Sequence, residues 1–179
     1  MIFNGTKLKG VYVIDVERRA DLRGFFGRAW CENELNSHGV PTRFVQSNIG
    51  FSHKKGTLRG MHFQNAPFQE VKLVRCTMGR VMDVAIDLRP ESPTYREWVC
   101  EELSSENRKM LVIPQGCAHG YITLVDNTEL LYETSQFYAP AHATGVLYND
   151  PAFGVVWPVP VDVISEADLS WPRFIPANT

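Results

Sequence analysis

The sequence predicts an all-β barrel or sandwich with a few helical turns, and three observations carry that expectation. Short runs rich in β-branched and aromatic residues recur along the chain with turn residues between them. From Met82 to Leu88 the apolar side chains fall on every second position (Met82, Val84, Ile86, Leu88) against Asp83, Ala85 and Asp87, the period of a half-buried strand. Helical turns are confined to short stretches: Cys31 to Ser37 with a glycine stop at Gly39, the turn SSENRKM, and SEADLSW, a capped turn before Pro172.

Taken in order, Leu8 to Val16 (LKGVYVIDV) is an opening strand. ERRADLRGFFGRAW sets Gly24 and Gly27 around Phe25 and Phe26, which suits a loop whose backbone approaches something flat; a place in the core suits both rings equally well. Phe44 to Gly50 resumes as a strand with Gln46 and Asn48 on one face, where amides are either solvated or read the edge of a planar base. LRGMHFQ and EVKLVRC are strands around a break at Asn65 to Gln69 that contains Pro67. A hairpin symmetric about Pro67 sets His62 opposite Lys72, with β-carbons roughly 4.5 to 5.5 Å apart. Trp98 to Leu103 is a strand, and PQGCAHGY is a tight turn that fixes the imidazole of His119. Strands Ile122 to Val125 and Leu130 to Ser135 follow, parted by Asp126 to Thr128, with Tyr132 in the second. The tail from Tyr138 onward has weak periodicity, and no internal repeat or low-complexity linker occurs.

With 179 residues, 44% of them hydrophobic and 21% charged, the chain has the composition of one soluble globular domain, residues 1–179. Such a chain buries roughly 70% of its unfolded surface and needs no staple. Cys31, Cys76, Cys100 and Cys117 are widely spaced without a CxxC pair, which argues against a zinc knuckle or a disulfide framework and for reduced thiols in the cytoplasm. No leader or membrane-length apolar run is present, so neither secretion nor a membrane is supported. A net charge of -2 provides no global field for nucleic acid, although Arg59, Lys72 and Arg75 form a local basic cluster suited to an anion. The stretch from Lys55 to Arg89 is the centre of the chain, because it sets Arg59, His62, Lys72, Asp83 and Asp87 among alternating apolar residues. A polar strand face of that kind must meet water, a partner or a ligand.

DLRGFF, QSN, GTLRGMHFQ, KLVRC, DVAIDLR, PQGCAHGY and NDPAFGVVWP are spread along the chain from Asp21 to Pro158. In that combination the sequence resembles the dTDP-4-dehydrorhamnose 3,5-epimerase family of the cupin superfamily. The resemblance implies a cupin-type jelly-roll barrel with a few short helices, in a homodimer that exchanges N-terminal strands. It also implies a cytoplasmic, cofactor-independent isomerase acting on a nucleotide-diphospho sugar. A 4-keto sugar has acidic protons on both carbons beside its carbonyl. Inverting those centres takes a base, an enolate stabiliser and an acid on the opposite face, with no redox cofactor.

A lone histidine in a strand is more often structural, but the family motif makes His62 the base, since imidazole titrates near neutral pH. The resemblance gives its orientation to Asp168, with Asp83 the local rival. Lys72, otherwise a solvated strand lysine, supplies positive charge where the enolate oxygen develops. Tyr132, otherwise a rim tyrosine, matches the family's general acid. Arg59, Arg23 and His119 are expected on the diphosphate, Gln46 and Asn48 on the nucleotide, and Tyr138 or Phe26 stacked on its base. His53 and His142 read as surface residues. Arg28, Ala143 and Ala167 stand where the family pattern has glutamate, glutamate and lysine, which leaves open the nucleotide (dTDP, GDP or CDP), the sugar, and whether one or both centres invert. A metal cupin is the first rival, but its HxH is here His62-Phe63-Gln64 and Glu70 follows a proline loop, so no metal is expected. A non-catalytic sugar-binding module is the second rival.

Overall fold

The computed structural model describes residues 1–176, which form thirteen strands and two short helices. The N-terminal part contains β1 (Ile2–Gly5), β2 (Tyr12–Asp15), β3 (Arg19–Asp21), β4 (Gly24–Phe26), α1 (Glu32–Ser37) and β5 (Gln46–Ser52). The centre contains β6 (Leu58–Gln64), β7 (Lys72–Met78), β8 (Arg80–Asp87), β9 (Trp98–Ser104) and β10 (Met110–Ile113). β11 (Cys117–Thr123), β12 (Thr128–Thr134), β13 (Ala143–Gly145) and α2 (Glu166–Leu169) complete the chain. A six-stranded sheet in the order β1-β2-β10-β7-β12-β5 faces a five-stranded sheet in the order β13-β6-β11-β8-β9, and β3 and β4 pair only with each other. Pairing between these strands is antiparallel throughout.

Apolar burial occurs in three layers. Between the sheets, Val74, Leu111 and Leu130 of the larger meet Val81, Ala85 and Leu103 of the smaller. On the outer face of the six-stranded sheet, Leu73, Met110 and Val112 pack under Leu35 of α1 and Val40. On the outer face of the five-stranded sheet, Met61, Val84, Ile86 and Ala118 are covered by the C-terminal tail through Val146, Phe153, Trp157 and Phe174. Each sheet is thus apolar on both faces, and burial of this area is the main driving force for the architecture.

That layering changes the meaning of the Met82–Leu88 alternation. The apolar set points outward beneath the tail, whereas Asp83 and Asp87, both fully buried, point inward. Asp87 meets neither water nor ligand. It accepts from Arg89 Nε (2.8 Å), Ser92 Oγ (2.6 Å) and Thr94 Oγ1 (2.8 Å), tying the loop after β8 to the barrel.

Four expectations need correction. β6 and β7 are not a hairpin: they belong to opposite sheets, so residues 65–71 cross between layers and His62 and Lys72 are not register partners. His119 is not in a turn but in the middle of β11, the turn being confined to residues 114–116. The opening strand is shorter than Leu8 to Val16, being β2 alone (Tyr12–Asp15), and β1 precedes it across a turn around Gly10. Residues 105–107 form a plain turn rather than a helical one. The helix over Cys31 to Ser37 is present as α1, with Gly39 in the left-handed region at φ 71° behind it.

Burial works to raise the Asp87 carboxyl, but its hydrogen bonds from Arg89, Ser92 and Thr94 prevail and hold it at about 2. Its contribution to stability is therefore present above the unfolded value near 4 and is lost as pH falls through about 2. Asp87→Asn is expected to lower the urea midpoint at pH 7. The gap to wild type should then narrow steadily in acid as the native carboxylate protonates.

Candidate active site

The space between the sheets opens into a cavity of about 890 Å³, a size suited to a small-molecule ligand. Its walls come from β5, β6, β7, β11, β12, β13 and the segment leading into α2.

On the five-stranded sheet, β6 presents His62, whose side chain is 43% exposed to the cavity. Its Nε2 lies 2.5 Å from Asp168 Oδ1. Ser165 caps α2 by accepting from the Asp168 N–H at 3.0 Å, which fixes the aspartate in the first turn. Asp168 also accepts from Gly60 N (3.3 Å) and Trp171 Nε1 (3.3 Å). Burial alone would raise this carboxyl; the His62, Gly60 and Ser165 hydrogen bonds prevail and keep it below its usual value. Facing an ionised carboxylate, a neutral His62 donates from Nε2 and leaves Nδ1 as its basic nitrogen.

Asp83, the local rival, is engaged elsewhere. His119, the register neighbour of His62 on β11, holds Nε2 at 2.9 and 3.1 Å from the two Asp83 oxygens. Two carboxylate-bound imidazoles therefore lie side by side, one half-exposed and one buried. Their strands approach closely at paired glycines: a Cβ on Gly120 would sit 2.8 Å from Arg59 O and 3.1 Å from Gly60 Cα.

The six-stranded sheet supplies the opposite wall. Lys72 opens β7, with Nζ 3.2 Å from Glu70 Oε1 and donating to His62 O at 3.1 Å. Burial lowers its pKa, and Glu70 works against that shift. Tyr132 of β12 lines the same cavity between Val74 and Asn48, its phenol raised by burial and opposed by Arg59. Arg59 lines the mouth and donates to Phe51 O at 2.9 Å. Gln46 and Asn48 project inward from β5, and the Tyr138 N–H donates to Gln46 Oε1 at 2.6 Å, placing that tyrosine on the rim.

Of the sequence-predicted residues, His62, Lys72, Tyr132, Asp168, Gln46, Asn48, Arg59, His119 and Tyr138 share this one cavity. Arg23 and Phe26 do not line it. They belong to the exposed β3–β4 hairpin, where Arg23 pairs with Asp21 at 2.6 Å and Phe26 is 74% exposed. Arg75 faces away from Lys72 on the outer side of β7 and donates to Ala29 O, so the expected basic cluster reduces to Arg59 and Lys72. His53 and His142 lie outside the lining, as does Arg28, which pairs with Glu34 at 2.5 Å, whereas Ala143 and Ala167 lie within it. Gln64, third residue of the HxH-like run, spends its amide on Phe68 O (2.8 Å) and Ala139 N (2.7 Å). Among the described residues no three His, Cys, Asp or Glu side chains converge on a metal position.

Among the other lining residues, Glu70 was weighed only as a metal ligand, and Tyr121 and Trp171 were not singled out. The signals were local. Glu70 precedes Lys72 by two, Tyr121 follows His119 by two on one strand face, and Trp171 follows Asp168 by three at helical spacing. Burial pushes the Tyr121 phenol up to about 12.

The family model for dTDP-4-dehydrorhamnose 3,5-epimerase matches residues 5–175. The chain belongs to the dTDP-4-dehydrorhamnose 3,5-epimerase family. It is 38% identical over 174 residues to the Shigella flexneri enzyme of that name, covering 97% of this chain and 96% of that one. The Bacillus anthracis epimerase, solved with TDP and PPi bound, superposes with a TM-score of 0.92 at 35% identity, covering 97% of this chain and 99% of that one. The Legionella pneumophila epimerase, in complex with dTDP-4-keto-L-rhamnose, superposes with a TM-score of 0.87 at 34% identity, covering 95% and 90%. The all-β, cupin-like fold expected from the sequence is the fold of these epimerases.

The two dyads differ in what holds them. Asp83→Ala would strand the buried His119 N–H and is expected to cost about 1–3 kcal/mol in urea unfolding. Asp83→Asn, which keeps an acceptor for that N–H, should cost less than Asp83→Ala.

Proposed function

We propose that this chain is a cofactor-independent 3,5-epimerase that converts dTDP-4-dehydro-6-deoxy-D-glucose to dTDP-4-dehydro-L-rhamnose. One observation carries the reading: His62 with Asp168 and Tyr132 with Lys72 stand on opposite sheets across one cavity. The 4-carbonyl acidifies the C3 and C5 hydrogens. His62 Nδ1 takes a proton from one face of the ring, and the electron pair moves to the carbonyl oxygen as an enolate. Lys72, an ammonium in a low-dielectric wall, stabilises that oxygen. Tyr132 then returns a proton from the other face, so the centre inverts; His62 releases its proton to solvent and the Tyr132 phenolate takes one up, which restores both groups. Asp168 fixes the His62 tautomer and balances the imidazolium that forms. The sequence of steps at the second carbon is the same.

Binding follows the cavity from wall to rim. Arg59 and His119 meet the diphosphate, Gln46 and Asn48 meet the nucleotide, and Tyr138 stacks on its base. The positions of Arg23 and Phe26 favour a homodimer. β1 and β2 belong to the chain's own sheet, so the exposed β3–β4 hairpin is the element free to reach a second copy and deliver those two side chains to its cavity. Exposed Trp30, Ile49 and Phe51 give that contact apolar area. Reduced, unpaired cysteines favour the cytoplasm, and no described helix is long and apolar enough to cross a membrane.

Ala143 and Ala167 both line the cavity, which favours a second reading in which a GDP- or CDP-linked sugar is the substrate or only one centre inverts. Incubation with the dTDP-4-keto-6-deoxy sugar in deuterated water separates them by NMR. Deuterium at both C3 and C5 is expected. Label at one carbon makes the enzyme a mono-epimerase, and label only from a GDP or CDP substrate reassigns the nucleotide. No label from any of the three rejects the epimerase.

A further inference from the structure

We propose that Glu70 is a positioning residue for the epimerisation, orienting the Lys72 ammonium so that its third N–H faces the cavity. The inference rests on the epimerase reading above and adds a residue to it. An ammonium has three donors. One goes to His62 O at 3.1 Å, anchoring Lys72 to the strand that carries the base, and the ammonium forms an ion pair with Glu70 Oε1 at 3.2 Å. Held on these two sides, it has one N–H left for the cavity. Both side chains are buried, 11% exposed for Lys72 and 8% for Glu70, so neither contact is diluted by water.

Glu70 depends on this arrangement in turn. Its second oxygen, Oε2, is buried without a hydrogen-bond partner, so among the described residues the one ion pair of this carboxylate is with Lys72. A buried charge with a single counter-charge is tightly bound to it, because removing either partner strands the other. The surroundings of Lys72 contain Asp83 on β8, the Asp83-bound His119 on β11, Asp168-bound His62 and Arg59 on β6, and Tyr132 on β12. Asp83 and Asp168 each hold a histidine, which leaves Glu70 as the one carboxylate in direct contact with the lysine. Burial acts to discharge Lys72, and Glu70 is the largest influence opposing it. Without Glu70 the wall would present a less charged, less directed amine where the enolate oxygen forms.

The test compares wild type, Glu70→Gln and Glu70→Asp by steady-state kinetics on the dTDP-4-keto sugar. It adds the pH titration of the Lys72 Nζ resonance in unliganded, ¹⁵N-lysine-labelled protein, assigned with Lys72→Arg. Gln keeps an acceptor but removes the charge, so kcat is expected to fall about tenfold or more with KM within about twofold. The Lys72 midpoint should shift to lower pH, and Glu70→Asp should recover part of both effects. Wild-type kcat in Glu70→Gln, or a loss of kcat with the Lys72 midpoint unmoved, would overturn the proposal. Absence of turnover by the wild type would reject the substrate assignment instead. The Lys72 titration would still decide whether Glu70 governs the lysine.

Discussion

The hydrogen bond between His62 and Asp168 joins the barrel to its C-terminal tail, and the chemistry of the site depends on it. A strand can aim an imidazole into a cavity, but it cannot by itself fix the tautomer. The acceptor arrives from a segment 106 residues further along the chain. For Asp168 to reach β6, the tail must first cross the outer face of the five-stranded sheet, where Val146, Phe153 and Trp157 bury its apolar surface, and Phe174 returns to the same layer after Asp168. Polar contacts lock that crossing: Asp150 accepts from Phe174 N at 2.7 Å, and Trp157 Nε1 donates to Tyr148 O at 3.0 Å. Packing of the tail and orientation of His62 are therefore one structural event.

The same economy of position explains why the cavity part of the barrel interior is polar. A ligand space between two sheets requires the residues that line it to be chemical rather than apolar, so apolar packing is shared between the rest of the interior and the two outer faces. β8 displays the result most clearly, with Val84 and Ile86 outward and Asp83 and Asp87 inward. Four buried charges each have their own partner: Asp87 has Arg89, Asp83 has His119, Asp168 has His62 and Lys72 has Glu70. Buried groups so matched avoid the desolvation penalty of an isolated charge. Among them His62 alone is substantially exposed, which fits a group that must exchange protons with a ligand.

Much of this was legible in the sequence because it is local. Period-two alternation marked β8, the glycine at Gly39 marked the end of α1, and Ser165 three residues before Asp168 marked the capped turn of α2. Strand partners were less legible. Alternation tells which residues share a face but not which sheet a strand joins, so residues 65–71 read as a hairpin loop when they are a crossover. His62 and Lys72 nonetheless meet, through a side chain reaching a main-chain oxygen rather than through register. Phe25, for which core and loop fitted equally well, is 45% exposed, with the Arg18 guanidinium 4.7 Å above its ring. Glu70 was passed over because it was weighed only as a metal ligand, while its spacing from Lys72 already placed the two on one side of an extended chain.

The central claim is that the proton leaves toward one sheet and returns from the other. Comparing solvent exchange with inversion in two variants tests it most directly. With Tyr132→Phe in deuterated water, the substrate should still exchange its acidic C–H for deuterium, with configuration retained, because His62 can return what it removes only to the same face. His62→Asn should abolish exchange and inversion together. Inversion at the wild-type rate by Tyr132→Phe, or undiminished exchange by His62→Asn, would contradict the two-sided mechanism.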